Sequence, residues 1–186
     1  MTAGSTRAFI FATIDAHAAG HRARIAMKMN ALVDPACIRA LYRASQAGVP
    51  IDLAIRGICC LRPGVTGVSE NIRVSSVVGR FLEHSRAFAF GVGDEEEMYI
   101  SSADWMPRNF FARVELMIPI LDEKAREKIR QEVFEPFLTD NARARDLQGD
   151  GTYVRRHPGP GETPHDAQQD LLDRLARRGL KAVPAF

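Results

Sequence analysis

The apolar positions between residues 23 and 57 change period twice. "ARIAMKM" (23–29) alternates apolar and basic residues, a period of two that predicts a strand. "NALVDP" then turns the chain. Asp34 is a good N-cap and Pro35 suits the first helical position, so a helix is expected over 35–47. Ile38, Leu41 and Tyr42 fall at i, i+3 and i+4 on one face of it, and Gly48 supplies the C-cap. "VPIDLAIRG" (49–57) returns to alternation, with Ile51, Leu53 and Ile55 on one side. Strand, helix and strand joined by short links make a βαβ unit and therefore a parallel sheet.

Beyond it lies a Gly- and Pro-bearing loop, "GICCLRPGVTGVSEN" (57–71), longer than most connections in a compact domain. Further strands are expected at "IRVSSV" (72–77), "RFLEHSRAFAFG" (80–91), "EEMYISS" (96–102) and "ARVELMIPI" (112–120). The acidic "GDEEE" turn reads as a solvated hairpin tip. Asp122 caps an amphipathic helix over 123–138, "TYVRR" (152–156) offers one short strand, and "HDAQQDLLDRLARRG" (165–179) a terminal helix. The opening dozen residues keep no period, so 1–22 is expected to be a loosely ordered segment. The fold class is α/β, a mixed sheet flanked by helices in a single domain over 23–156, followed by a loop and helix over 157–186.

A net charge of +2 on 186 residues argues against bulk electrostatic binding of nucleic acid. No apolar run reaches the ~18 residues of a membrane span. The three cysteines, Cys37 and the adjacent Cys59 and Cys60, give neither a disulfide framework nor zinc spacing. Cys59 and Cys60 are read as buried small residues and Trp105 as core. The cytoplasm is the expected location, with peripheral membrane association of a longer protein kept as an option.

One stretch resists a purely structural account. "LEHSRAFAF" places His84 and Arg86 at alternate positions of an apolar run, and "YISSADWMPRN" follows after a turn. The pattern His84-Ser85-Arg86, then a strand, a turn and Ser-Ala-Asp, resembles the half-site of the phospholipase D superfamily. There an imidazole acts at a phosphoryl group, a cation two residues on shares its side of the strand, and polar groups on the next strand orient both. Arg86 stands where the superfamily has lysine, and Gly91 where it often has an acid.

From about Ala23 to Arg155 the chain also resembles the C-terminal catalytic domain of the polyphosphate kinase family. "KMNALVD", "LYRASQAGVPIDLAIRGICCLRPGV", "SENIRV", "VGRFLEHSR", "YISSADWMPRN" and "RVE" carry the likeness, in the family's order and spacing. The resemblance implies a phospholipase D-like fold and transfer of the terminal phosphate of ATP to a polyphosphate chain, reversibly. His84 would be the catalytic histidine facing a phosphorylated histidine of the preceding domain, and would bind phosphate with Arg56, the arginine on the nucleotide. ATP, ADP, polyphosphate and the N-terminal, second and first phospholipase D-like domains of the full-length enzyme are the implied partners, with Mg²⁺ held by ligands outside this chain. An isolated domain of this kind lacks the phospho-accepting histidine and is expected to be inactive alone. Lys28, Asn30, Arg86, Ser102 and Asp104 are further candidates for phosphate contact or support. Asp104 would orient His84 or else pair with Arg108. Arg73, Arg80 and Arg86 form a loose basic series, Arg62 is a loop cation that would reach phosphate or solvent, and His17 and His21 carry no motif. Two alternatives stand: a homodimeric single-half-site phosphodiesterase, and a non-catalytic polyanion-binding module. A site cut in half should also expose an apolar or basic patch.

Overall fold

The computed structural model describes residues 2–92 and 95–179, so the turn at Gly93 and Asp94 lies outside the described residues. A mixed sheet of eight strands crosses the molecule in the order β6-β5-β4-β1-β2-β3-β7-β8. The strands are β1 (Ile25–Met29), β2 (Ile51–Ile55), β3 (Ile72–Ser76), β4 (Ala87–Val92), β5 (Glu95–Ser101), β6 (Met117–Pro119), β7 (Arg145–Leu147) and β8 (Tyr153–Arg155). β1, β2 and β3 pair in parallel, and the other pairings between these strands are antiparallel. The helix predicted between the first two strands is α2 (Pro35–Gln46), with Asp34 Oδ1 accepting from the backbone N–H groups of Ala36 and Cys37 at 3.0 and 2.9 Å.

Alternation along the central strands separates two unlike faces. Ile25, Met27 and Met29, Ile51, Leu53 and Ile55, and Phe88 and Phe90 pack on one side against α2 and the N-terminal helix α1 (Ala3–Ala18). Each such side chain taken fully out of water contributes roughly 1.5–3 kcal/mol. The opposite face is built from small residues, Ala26, Ala54, Ala87 and Ala89. That lets Phe134 and Phe137 of the C-terminal helical segment lie close to the sheet. This segment runs as α4 (Glu123–Ile129), a π-helical turn (Arg130–Phe134) and α5 (Glu135–Thr139). Pro136 accounts for the wide turn. Its ring cannot donate to an i−4 carbonyl and would strike that group in a regular helix.

The N-terminal stretch is a helix rather than a loose end. Thr2 and Ser5 form a reciprocal capping box, and Ile10 is fully buried. Thr6 and Thr13 are buried too, and their hydroxyls donate to the carbonyls of Thr2 and Phe9 at 3.0 and 2.9 Å. Polar residues on the buried side hide the apolar period. Two strand expectations shrink. Residues 80–86 are irregular and only Ala87–Val92 pairs. Residues 112–116, which follow a short helix α3 (Pro107–Phe111), are irregular too, and of the expected 112–120 strand only Met117–Pro119 pairs, at one edge of the sheet. The terminal helix is α6 (Ala167–Gly179). Cys60 is exposed and Cys59 half-buried, so the expectation that both are buried fails, while Trp105 is fully buried as expected.

A single carboxylate organises the C-terminal part. Asp140, fully buried, accepts from the backbone N–H groups of Ala142, Arg143 and Ala144 through Oδ1, at 2.6–3.0 Å, and from Ala167 through Oδ2 at 2.9 Å. Asp140→Ala would strand these donors in a dry site and should lower unfolding stability by about 3 kcal/mol. Urea unfolding measures this; a loss under about 0.5 kcal/mol would remove Asp140 from that role.

Candidate functional site

Parallel strands end together, and here their carboxyl ends form one polar edge. Asn30 follows β1, Arg56 follows β2 and Val77 follows β3. β4 runs the other way, so residues 83–86, which lead into it, reach the same edge. β5 is antiparallel to β4, and Ser102–Trp105 therefore arrive there as well. Gly57 lets the first two loops close together. Its N–H donates to the Asn30 carbonyl at 2.9 Å, and a Cβ at this position would stand 2.9 Å from that same oxygen.

Lys28 sits on the small-residue face of β1 and is almost fully buried. Its ammonium donates to Glu83 Oε2 at 2.8 Å and to Ser85 Oγ at 2.7 Å, and lies 3.7 Å from the centre of the Phe137 ring. Burial lowers its pKa from the usual value, and the hydrogen bond and charge of Glu83 oppose that shift. Lys28, Asn30, Arg56, Val77, Glu83 and Ser85 all line one narrow pocket. Two buried donors there, Asn30 Nδ2 and Arg56 Nε, have no hydrogen-bond partner among the described residues. A pocket edge with uncommitted N–H groups suits an anion.

His84 does not line that pocket, although both its neighbours do. It is exposed, and the Arg86 guanidinium lies along its ring, with Nη1 3.2 Å from Nδ1 and Nη2 3.3 Å from Nε2. Arg86 also donates to the His84 carbonyl at 3.1 Å and to Asp104 Oδ2 at 2.8 Å. Asp104 Oδ1 in turn accepts from the backbone N–H groups of Asn30 and Ala31 at 2.7 and 3.2 Å. The expected role of Asp104 is thus corrected. It holds neither the imidazole nor Arg108; it holds Arg86, and Arg86 holds His84. Burial pushes the Asp104 carboxyl up, but the hydrogen bonds from Arg86 and Asn30 outweigh it and leave the pKa below its ordinary value.

Other candidates fall elsewhere. The hydroxyl of Ser102 donates to Glu115 and accepts from the Leu116 N–H at 3.0 Å, so it supports the next loop rather than the pocket. Hydrogen bonds from Ser102 and Asn109 lower the Glu115 pKa. Arg73 lies at the opposite end of the sheet, where it and Arg24 both pair with Asp52 at 2.8 and 2.9 Å. The basic series is therefore broken, and Arg80 packs on Phe81 instead. The loop cation Arg62 is exposed. Glu83 and Ser85 were not singled out from the sequence, although they flank His84; nothing in their own types distinguishes them until Lys28 is known to be buried opposite. Around the edge, Ile58, Val78, Phe81, Leu82 and Phe111 are exposed. Among the described residues no cluster of His, Cys, Asp and Glu could hold a metal ion, and no helix is long and apolar enough to cross a membrane.

Residues 5–168 match the family described as polyphosphate kinase C-terminal domain 2. The chain is 52% identical over 165 residues to the polyphosphate kinase of Pseudomonas aeruginosa, covering 89% of this chain and 24% of that protein. Identity to the polyphosphate kinase of Synechocystis sp. is 56% over 149 residues, or 80% of this chain and 20% of the relative. The fold superposes on the crystal structure of the polyphosphate kinase from Porphyromonas gingivalis with a TM-score of 0.89 at 39% identity, over 96% of this chain and 27% of that one. The chain thus spans about a quarter of the length of the curated relatives it matches.

The Asp104 pair should leave a signature in acid. Because its folded pKa is lowered, the stability it contributes is full above the ordinary value of 3.8 and is lost as pH falls through the folded value. Asp104→Asn should cost about 3 kcal/mol at pH 7 and flatten the acid limb of urea-unfolding curves taken between about pH 7 and 2. Superposable acid limbs for wild type and variant would refute the pairing.

Proposed function

The chain belongs to the polyphosphate kinase C-terminal domain family, and we propose that its polar sheet edge is one half of a phosphoryl-transfer site working on ATP, ADP and inorganic polyphosphate. The observation that carries this reading is the set of buried, unpartnered nitrogens at that edge, Asn30 Nδ2, Arg56 Nε and Arg86 Nε, beside an exposed imidazole. Donors fixed in advance and short of acceptors stabilise phosphate oxygens without reorganising when the ligand arrives.

In this reading Arg56 and Asn30 take the phosphate oxygens. Their backbone positions are set by the parallel strands and by the Gly57–Asn30 contact. Lys28 holds Glu83 and Ser85 from beneath and so places the segment that carries His84, rather than contacting phosphate directly. His84 presents its ring to a phosphoryl group held on a histidine of a preceding domain. As the phosphorus–nitrogen bond of that group breaks and a phosphorus–oxygen bond to the chain's terminal phosphate forms, the imidazole moves a proton or stabilises the developing charge. Arg86, held by Asp104, fixes the ring for that role. The exposed apolar residues around the edge are where a partner domain would cover the site and exclude water.

The resemblance implies Mg²⁺, and the carboxylates nearest the pocket do not fit it. Glu83 is held by Lys28, Asp104 by Arg86 and two backbone amides, and Glu115 by Ser102 and Asn109. Each is committed to a protein partner and none forms a cluster with another.

Mixing the chain with the remaining three quarters of a related polyphosphate kinase should restore ATP-dependent chain growth. His84→Ala should reduce that growth at least ~100-fold. Arg56→Ala should weaken tripolyphosphate binding by about tenfold in calorimetry, the loss of one charged hydrogen bond. Growth unaffected by His84→Ala would overturn the proposal. Hydrolysis of a phosphodiester by the chain alone, lost in His84→Ala, would favour a phosphodiesterase. Polyphosphate binding indifferent to both substitutions would favour a passive polyanion-binding module.

A further inference from the structure

The loop carrying His84 is tied to an element far along the chain. Gln168, in the first turn of α6, is nearly fully buried, and its side chain grips the backbone of Phe81 from both sides. Oε1 accepts from the Phe81 N–H at 2.9 Å, and Nε2 donates to the Phe81 carbonyl at 2.9 Å. The same Nε2 donates to Glu83 Oε1 at 3.1 Å. Glu83 uses its other oxygen for Lys28, and Lys28 also holds Ser85. Both neighbours of His84 are thereby fixed, one of them directly by α6.

Gln168 is itself held rigidly. Asp140 accepts from the N–H of Ala167, the residue before it, and Asp166 Oδ1 accepts from the N–H groups of Gln168 and Gln169 at 3.2 Å. Gly79 leaves room for the amide. A Cβ there would overlap Gln168 Oε1, so the amide would have to move aside.

We infer that Gln168 is a positioning residue for His84, acting through the Phe81 backbone and the Glu83–Lys28 pair. The inference rests on the phosphoryl-transfer reading only for what His84 does once placed; the mechanical link stands on the contacts themselves. An amide suits this position better than a carboxylate, because Gln168 must both accept from Phe81 and donate to Phe81 and Glu83.

Hydrogen–deuterium exchange and tripolyphosphate calorimetry on the 186-residue chain test it. Gln168→Ala should speed exchange of the amides of 80–86 by about tenfold or more, leave β1–β3 unchanged and weaken tripolyphosphate binding about fivefold. Gly79→Ala, which pushes the same amide aside without altering it, should do likewise. The double variant should be no worse than either single one, since both break one contact. Unchanged exchange at 80–86 in both single variants would overturn the inference. So would faster exchange spread through β1–β3, which marks a general loss of stability. A wild-type chain that binds no tripolyphosphate would sink the phosphoryl-transfer reading instead, and the exchange pattern would then decide the link by itself.

Discussion

An ammonium group buried against a sheet cannot stay without an anion, and Lys28 brings that requirement to the centre of the molecule. Its strand neighbours on the same face are alanines, which offer no polar partner. The partner must come from outside the strand, and it comes from Glu83 in the irregular segment before β4. The pair is a constraint more than a source of stability, because desolvating two charges costs about as much as their attraction returns. What it secures is place. The segment 83–86 has no ladder of its own, yet it is held against the sheet edge by this pair, by Ser85 and by the ring of Phe137 beneath the ammonium.

The two ends of the sheet are electrostatically different for a related reason. At the amino end of the parallel strands, Asp52 is flanked by Arg24 and Arg73, so its charge is answered twice over within the protein. At the carboxyl end, acids answer Lys28 and Arg86, while Arg56 Nε and Asn30 Nδ2 are left over. Nearly matched ion pairs with a surplus of donors give that edge an anion-seeking character, on a chain whose net charge is only +2. Composition reports the sum and cannot report this distribution.

The sequence was most legible where a single face decides. Asp34, Pro35 and the spacing of Ile38, Leu41 and Tyr42 defined α2 because local chemistry and packing agree there. Ile51, Leu53 and Ile55 marked β2 in the same way. Helix α1 was hidden because Thr6 and Thr13 satisfy their hydroxyls within the helix and so can be buried without an apolar signature. At the site, Arg56 was recognisable through the family resemblance and Asn30 as a further candidate, and the fold puts both at the ends of parallel strands. Asp104 was recognisable as a supporting acid, but its partner was not, since Arg86 and Arg108 differ only in what the fold brings near. Glu83, Ser85 and Gln168 act through contacts with Lys28 and Phe81 that join residues 55 to 87 positions apart. No local pattern encodes such contacts.

The wide turn at Arg130–Phe134 fixes more than the course of a helix. One residue beyond regular α-helical phase is inserted there, and everything after it is rotated accordingly. In that phase Phe137 meets the Lys28 ammonium. Removing a single residue from the turn would swing the downstream side chains by about 100°, and the aromatic floor under the lysine would face solvent instead. The irregularity forced by Pro136 thus works as a phase adjuster, matching the pitch of one helix to a charge buried on a strand.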